Sequence, residues 1–117
     1  MKISDAIFQA DTLRPNVIAY EQKKAWLHAL EAEIAETQCV ECPAWEGGED
    51  CDLLLEHPSD YVYPLYLCPM IDFYNQDTQL YQLDAAVANN AVSDVKARYR
   101  RTNPTAAKTT YIKGVFP

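Results

Sequence analysis

Between residues 20 and 37 the chain reads YEQKKAWLHALEAEIAET, and Trp26, Leu27, Leu30 and Ile34 recur at three- and four-residue spacing. That period lines them up on one face of an α-helix, with Glu21, Lys24, Glu31 and Glu33 directed elsewhere. A shorter helix precedes it. In Ile3-Ser4-Asp5-Ala6-Ile7-Phe8, Ser4 suits the N-cap, Asp5 favours the positive end of the helix dipole, and Ile3 can staple onto Phe8. Pro15 closes that helix, because it pushes Arg14 out of the α region.

Residues 38–58, QCVECPAWEGGEDCDLLLEHP, lose the helical rhythm and predict a long loop with a short extended piece at 52–56. Loops beyond about 12–15 residues are uncommon in compact domains and tend to be functional or mobile. Ser59 then offers an N-cap for a third helix, with Pro64 near its first turns. Tyr63, Leu67, Met70, Ile71 and Tyr74 form its apolar stripe, and Pro69 should kink it. Asn75-Gln76-Asp77 reads as a tight turn in which Asp77 caps a fourth helix from 78 to about 101. Leu80, Leu83, Val87, Ala91, Val95 and Tyr99 fall on one side of that helix, which Asn103-Pro104 ends. The pattern predicts an all-α fold, a small bundle of three to four helices. The last two helices form a long antiparallel hairpin, since so short a turn leaves little other choice. Residues 1–102 make the helical domain and 103–117 an extended C-terminal arm.

Composition narrows the class. The length of 117 residues is one domain's worth, and 49% apolar against 23% charged residues indicates a globular chain. Three glycines argue against a turn-rich all-β fold. No apolar run approaches the roughly 20 residues that span a bilayer. The opening MKISDAIFQAD meets acids at Asp5 and Asp11 and lacks an apolar core, so it does not read as a signal peptide and a cytosolic product is expected.

The net charge of −7 hides an asymmetry: residues 1–95 carry −13 and residues 96–117 carry +6 with no acid. The terminal segment is either a solvated tail or a basic arm that docks on an acidic surface, of a neighbouring copy or of another partner. Sequence-specific nucleic-acid binding fits less well, because a −13 body repels phosphate and no recognition motif accompanies the bases.

Candidate chemistry is sparse. Cys39, Cys42, Cys51 and His57 have the spacing C-x2-C-x8-C-x5-H, a set of soft ligands that could hold a structural zinc in a small binding module. The second close pair of a zinc ribbon is missing, and no βαβ pattern surrounds Cys39 and Cys42 as a thioredoxin-like role would require. Cys68 lies within the aromatic helix as a small core residue. His28 sits at the boundary of the second helix. Asp72 and Asp84 flank the hairpin and could face each other as an acid–base pair, though capping or exposed carboxylates are commoner. No nucleophile elbow or phosphate loop is present, and no enzyme is expected. The tyrosines of the third helix suit a core boundary or a protein interface, since each buries a ring and keeps a hydroxyl.

Several segments recur in a familiar order: Leu13-Arg14-Pro15-Asn16, Trp26-Leu27, Leu53-Leu54-Leu55 leading into Tyr61-Val62-Tyr63-Pro64-Leu65-Tyr66-Leu67, Met70-Ile71-Asp72-Phe73-Tyr74-Asn75, and Tyr99-Arg100-Arg101-Thr102 with Pro104. Together they resemble the small head–tail connector proteins of tailed phages and prophages. The resemblance implies an all-helical adaptor that forms a ring on the portal, extends the DNA channel and offers a platform for the next joining protein. Its implied partners are the portal protein, neighbouring copies, that next joining protein and DNA in non-specific proximity, with no membrane. Its implied location is the head–tail junction of the virion, after assembly in the host cytoplasm. No catalytic residue, metal or cofactor carries over. The expected interface residues are Arg98, Arg100, Arg101, Lys108, Tyr111, Lys113 and Phe116 on the arm, and Tyr61, Tyr63 and Tyr66 at a packing or subunit boundary. The chain departs from the family pattern at Ala19, where a capping residue is usual, and in its four cysteines.

Overall fold

The helical periods of the sequence are realised in four helices. A computed structural model of the chain describes residues 1–45 and 48–102. Helix α1 spans Ile3–Leu13, α2 Tyr20–Thr37, α3 Val62–Tyr74 and α4 Thr78–Thr102. No strand occurs among the described residues, and a lone antiparallel bridge joins Lys2 to Asp52. The all-α expectation holds. The arm at 103–117, with Lys108, Tyr111, Lys113 and Phe116, lies outside the described residues.

Helix α3 occupies the centre and packs against α1, α2 and α4. Its buried face presents Tyr63, Leu67 and Ile71 to Ile3 and Ile7 of α1 and to Leu27, Leu30 and Ile34 of α2, all within one core cluster. Pro69 sits inside α3 without ending it. At the helix end Gln76 adopts left-handed φ of 60°. The Gln76 amide donates to the Phe73 carbonyl and the Asp77 amide to the Asp72 carbonyl, a Schellman arrangement that satisfies two terminal carbonyls. Asp77 then caps α4 as expected, its Oδ1 accepting from the Leu80 amide at 3.2 Å. The α3–α4 hairpin is thus turned by three residues with both helix ends satisfied.

Two helix starts, those of α1 and α3, differ from expectation, while α2 begins where its pattern predicts. Lys2, rather than Ser4, precedes the first helical residue of α1, and Asp5 reaches back to the Lys2 amide at 3.1 Å. Ser4 is inside the helix, donating from both its amide and its hydroxyl to Asp50. The Ile3–Phe8 staple is not made, because Phe8 is 72% exposed. Ala19 precedes α2 with no side-chain cap. Ser59 opens a 3₁₀ turn, Ser59–Tyr61, that runs into α3, and its hydroxyl accepts from Arg98 instead of capping.

Helix α4 is rotated relative to its expected face. Ala88, Ala91 and Val95 are buried, while Leu83 and Val87 are 66% and 49% exposed. The inward row is Asp84, Ala88, Ala91 and Val95, because Asp84 is drawn inward by an ion pair with Arg14. The small alanines follow it toward α3, and the larger Leu83 and Val87 turn outward.

The polar face of α2 is also corrected. Lys24 is buried, and Glu31 is fully enclosed rather than directed at solvent. The returning 38–58 segment covers that side and supplies the partners. Glu31 Oε2 accepts from the Leu54 amide at 3.0 Å, and Oε1 accepts from the Tyr63 hydroxyl at 2.7 Å. The Tyr63 oxygen in turn accepts from the Leu55 amide at 3.0 Å. Burial pushes the Glu31 carboxyl above the usual carboxylate range, against the pull of these donors. Of the expected extended piece at 52–56 a single antiparallel bridge, Asp52 to Lys2, is formed, and it is fastened twice to the N-terminal segment: the Ile3 amide donates to the Cys51 carbonyl and the Leu53 amide to the Met1 carbonyl.

Tyr63→Phe removes one hydroxyl and leaves two buried partners, the Leu55 amide and Glu31 Oε1, unmatched. The expected loss is about 1–3 kcal/mol in urea denaturation. A variant as stable as wild type would show that this network contributes nothing.

Candidate interaction surfaces

Each end of the α3–α4 hairpin presents side chains available for recognition. At the tip, Arg14, which ends α1 before Pro15, extends its guanidinium between two carboxylates. Its Nε and Nη2 donate to Asp84 at 2.8 and 3.0 Å, a bidentate fork, and Nε lies 3.4 Å from Asp72 Oδ1. Asn75 Nδ2 donates to the Pro15 carbonyl at 3.3 Å, so the Leu13–Asn16 and Met70–Asn75 motifs meet here.

Asp72 and Asp84 do face each other, as the sequence allowed, but around Arg14. Asp72 is buried and its Oδ2 has no donor. Burial and the neighbouring Asp84 carboxylate push Asp72 upward, while hydrogen bonds from Asp72 and Arg14 hold Asp84 below its ordinary value. Protonation of Asp72 would let its carboxyl donate to Asp84. The two carboxyls and one guanidinium form an enclosed clasp between α1, α3 and α4. The Asp72 Oδ2 is sealed from solvent, while the residue itself lines the recess at the hairpin tip.

Outside the clasp the tip is aromatic. Phe73 and Tyr74 are 73% and 57% exposed, and the Phe73 and Tyr81 rings lie 5.8 Å apart at a 58° tilt. Phe73 and Tyr81, with Asp72, Gln76, Asp77 and Gln82, line an open recess of about 490 Å³. Sequence reasoning missed both the clasp and this recess. The signal for the first was an arginine immediately before the helix-breaking Pro15.

The opposite end is basic. Arg98, Arg100 and Arg101 close α4, where cations complement the negative end of the helix dipole. Arg98 donates to Ser59 at 3.1 Å, beside the turn that carries the exposed Tyr61. A groove of about 370 Å³ brings the half-buried Tyr66 together with Arg100, Val92 and the Lys96–Glu33 ion pair. The described interface candidates Tyr61, Tyr66, Arg98, Arg100 and Arg101 therefore cluster around the turn into α3 and the last turns of α4. Tyr63 is the exception. It is fully buried in this fold and is a core residue, not an interface residue.

The zinc candidates do not assemble. Among the described residues no group of three or more His, Cys, Asp or Glu side chains is placed to hold a metal ion. Cys42 lies 3.6 Å from the Nε2 of His28, which also contacts the Pro43 carbonyl at 2.8 Å. Burial pushes the Cys42 thiol up, away from the thiolate that metal binding needs. Cys39 is an exposed residue of left-handed φ at the end of α2, and His57 is exposed. Cys68 is buried as expected, its thiol pushed up to about 11 by burial.

Comparison with protein-family models, curated protein sequences and solved structures finds no match.

The clasp predicts opposite responses from its two acids. Asp72 titrates above its unfolded value, so its ionisation costs stability as the pH rises past about 4. Asp84 titrates below its unfolded value, so its support is present above about pH 4 and is lost as the pH falls. Asp72→Asn, whose amide can donate to Asp84 as the protonated acid does, should match or exceed wild-type stability at pH 7 and lose that advantage near pH 3. Asp84→Asn should be destabilised at pH 7 and approach wild type near pH 3. Thermal melts of the two variants across that range decide it, and parallel behaviour of the pair would contradict the assignment.

Proposed function

We propose that the chain is a head–tail connector adaptor of a tailed phage or prophage. It assembles as a ring on the portal, extends the DNA channel and carries the next joining protein. The observation that carries this reading is the polarity of the α3–α4 hairpin. One tip holds Asp72, Asp77 and Asp84 with exposed aromatic rings, and the other end holds Arg98, Arg100 and Arg101 beside Tyr61 and Tyr66. The two ends are separated by the 25 residues of α4, about 37 Å at 1.5 Å per residue. Unlike ends on one rigid element suit a heterologous contact, in which one face of a subunit meets a different face of the next.

Two further features agree with this role. The motifs behind the resemblance to connectors pack against one another: Leu13–Asn16 against Met70–Asn75, and the leucine run against Tyr63 through Glu31. The net charge of −7 suits a channel wall along which DNA passes without adhering.

Native mass spectrometry of the chain mixed with the portal protein of the same genome tests the proposal. Bound copies in a symmetric multiple are expected, and Arg100→Glu with Arg101→Glu should weaken the complex at least about tenfold, the scale on which a like-charge contact replaces an attractive one. A portal that stays bare would overturn the adaptor reading.

A further inference from the structure

We propose that the cleft between the first half of α2 and the turn carrying Ala44 and Trp45 binds a small organic monocarboxylate, anchored on Lys24. The inference stands apart from the connector reading, since it uses neither end of the α3–α4 hairpin.

Lys23 and Lys24 are consecutive and both buried, at 5% and 8% exposure. The fold treats them differently. The Lys23 ammonium has three acceptors, the two Asp11 oxygens and Asn16 Oδ1. Lys24 has no hydrogen bond and no ion pair with a described residue. Asp50, an acid that feels its field, is occupied by the amide and hydroxyl of Ser4. A buried ammonium without an anionic partner is costly, and an anion arriving beside it removes that cost.

Lys24 lines an open cleft of about 370 Å³ with Glu21, Ala25, His28, Ala44 and Trp45. That volume falls in the lower part of the range for small-molecule pockets. The loop wall is held in place by His28. The Pro43 carbonyl can only accept, so His28 Nε2, 2.8 Å away, carries the proton and ties the loop to α2. The His28 and Trp45 rings then meet edge-on, their centroids 4.8 Å apart at 75°. The indole N–H of Trp45 is buried and has no acceptor among the described residues. Buried donors are normally paired, and a small turn of this ring presents the N–H to an oxygen in the cleft.

These groups define the ligand class. The ammonium and the indole N–H are two donors, and a carboxylate has two oxygens to receive them. Glu21 on the same cleft repels a second negative charge, which disfavours phosphate and dicarboxylates. Ala25, Ala44 and the Trp45 ring leave an apolar lining that an aryl group fills. Benzoate has both parts and is the probe.

The test titrates the full ¹⁵N-labelled chain with benzoate at constant ionic strength and follows the two indole N–H resonances. Trp45→Phe assigns them, and Trp26, which does not line the cleft, is the internal reference. A saturable shift of the Trp45 resonance is expected, with Kd of about 10 mM or below, the weak end of ligand efficiency for about nine non-hydrogen atoms. Benzamide, which keeps the ring without the charge, and inorganic phosphate should each bind at least about tenfold more weakly. Lys24→Met keeps the buried stem and should lose at least about tenfold in benzoate affinity, while its Tm stays at or above wild type. Ala25→Glu, at an exposed helical position, should keep the circular-dichroism helicity and weaken benzoate to a similar extent. A Trp45 shift that does not saturate at about ten times the expected Kd would overturn the site. Benzamide or phosphate binding as tightly as benzoate would overturn it too, as would full affinity in either variant. A Lys24→Met chain that melts below wild type would show the ammonium already satisfied within the fold, and would also overturn it.

Discussion

The carboxylate of Glu31, shut inside the molecule between α2, α3 and the returning loop, is the interaction on which the other elements depend. Its two oxygens hold the Leu54 amide and the Tyr63 hydroxyl, and that hydroxyl holds the Leu55 amide. A charge in that position is costly unless every partner is present. The network is satisfied only when three separate segments arrive together. The 38–58 stretch therefore runs a fixed course across α2, delivers Leu53 and Leu55 to the core, and clasps the N-terminus at Met1 and Ile3. Leu53 and Leu55 alone would supply burial without register, since apolar contact is non-directional. The two backbone amides supply the register.

A second polar constraint sets the rotation of α4. Arg14 pulls Asp84 inward, and the helix then offers Ala88 and Ala91 to α3. Small residues let the two helices of the hairpin lie close, while Leu83 and Val87 are left facing outward. The same clasp gathers acid at the tip, as the end of α4 gathers base 25 residues away. Packing and surface charge thus follow from one ion pair. Lys23 plays a comparable part between α1 and α2, its ammonium held by both Asp11 oxygens at 2.9 Å and by Asn16 at 3.2 Å. Each helix-to-helix connection carries a buried or half-buried polar tie of this kind.

The helices were legible in the sequence because their signals are local. The α2 limits follow from the 3–4 spacing of Trp26, Leu27, Leu30 and Ile34, and the α4 start follows from Asp77. What escaped was the fate of polar residues within apolar stripes. Glu31 stands four residues after Leu27 and three before Ile34, on the buried face, and its position could have been read as such. Nothing local tells that residues 54 and 55 will come to meet it. Likewise the face of α4 is decided by Arg14, seventy positions away from Asp84. Tyr63 was assigned to a boundary because a tyrosine keeps a polar tip, yet a buried acid satisfies that tip as well as water does. The basic end cluster was visible as a run of Arg98, Arg100 and Arg101, whereas the aromatic recess needs the left-handed turn at Gln76 to bring Phe73 and Tyr81 together.

Hydrogen exchange at the amides of Leu54 and Leu55 tests the account most directly. In an ordinary surface loop these amides would exchange within seconds to minutes at neutral pH. If the Glu31–Tyr63 network holds the chain as described, both should exchange only through global unfolding, with protection matching that of α2 and α3 core amides such as Leu30 and Leu67. Exchange of either amide at the rate of an open loop would contradict the claim that this buried carboxylate fixes the fold.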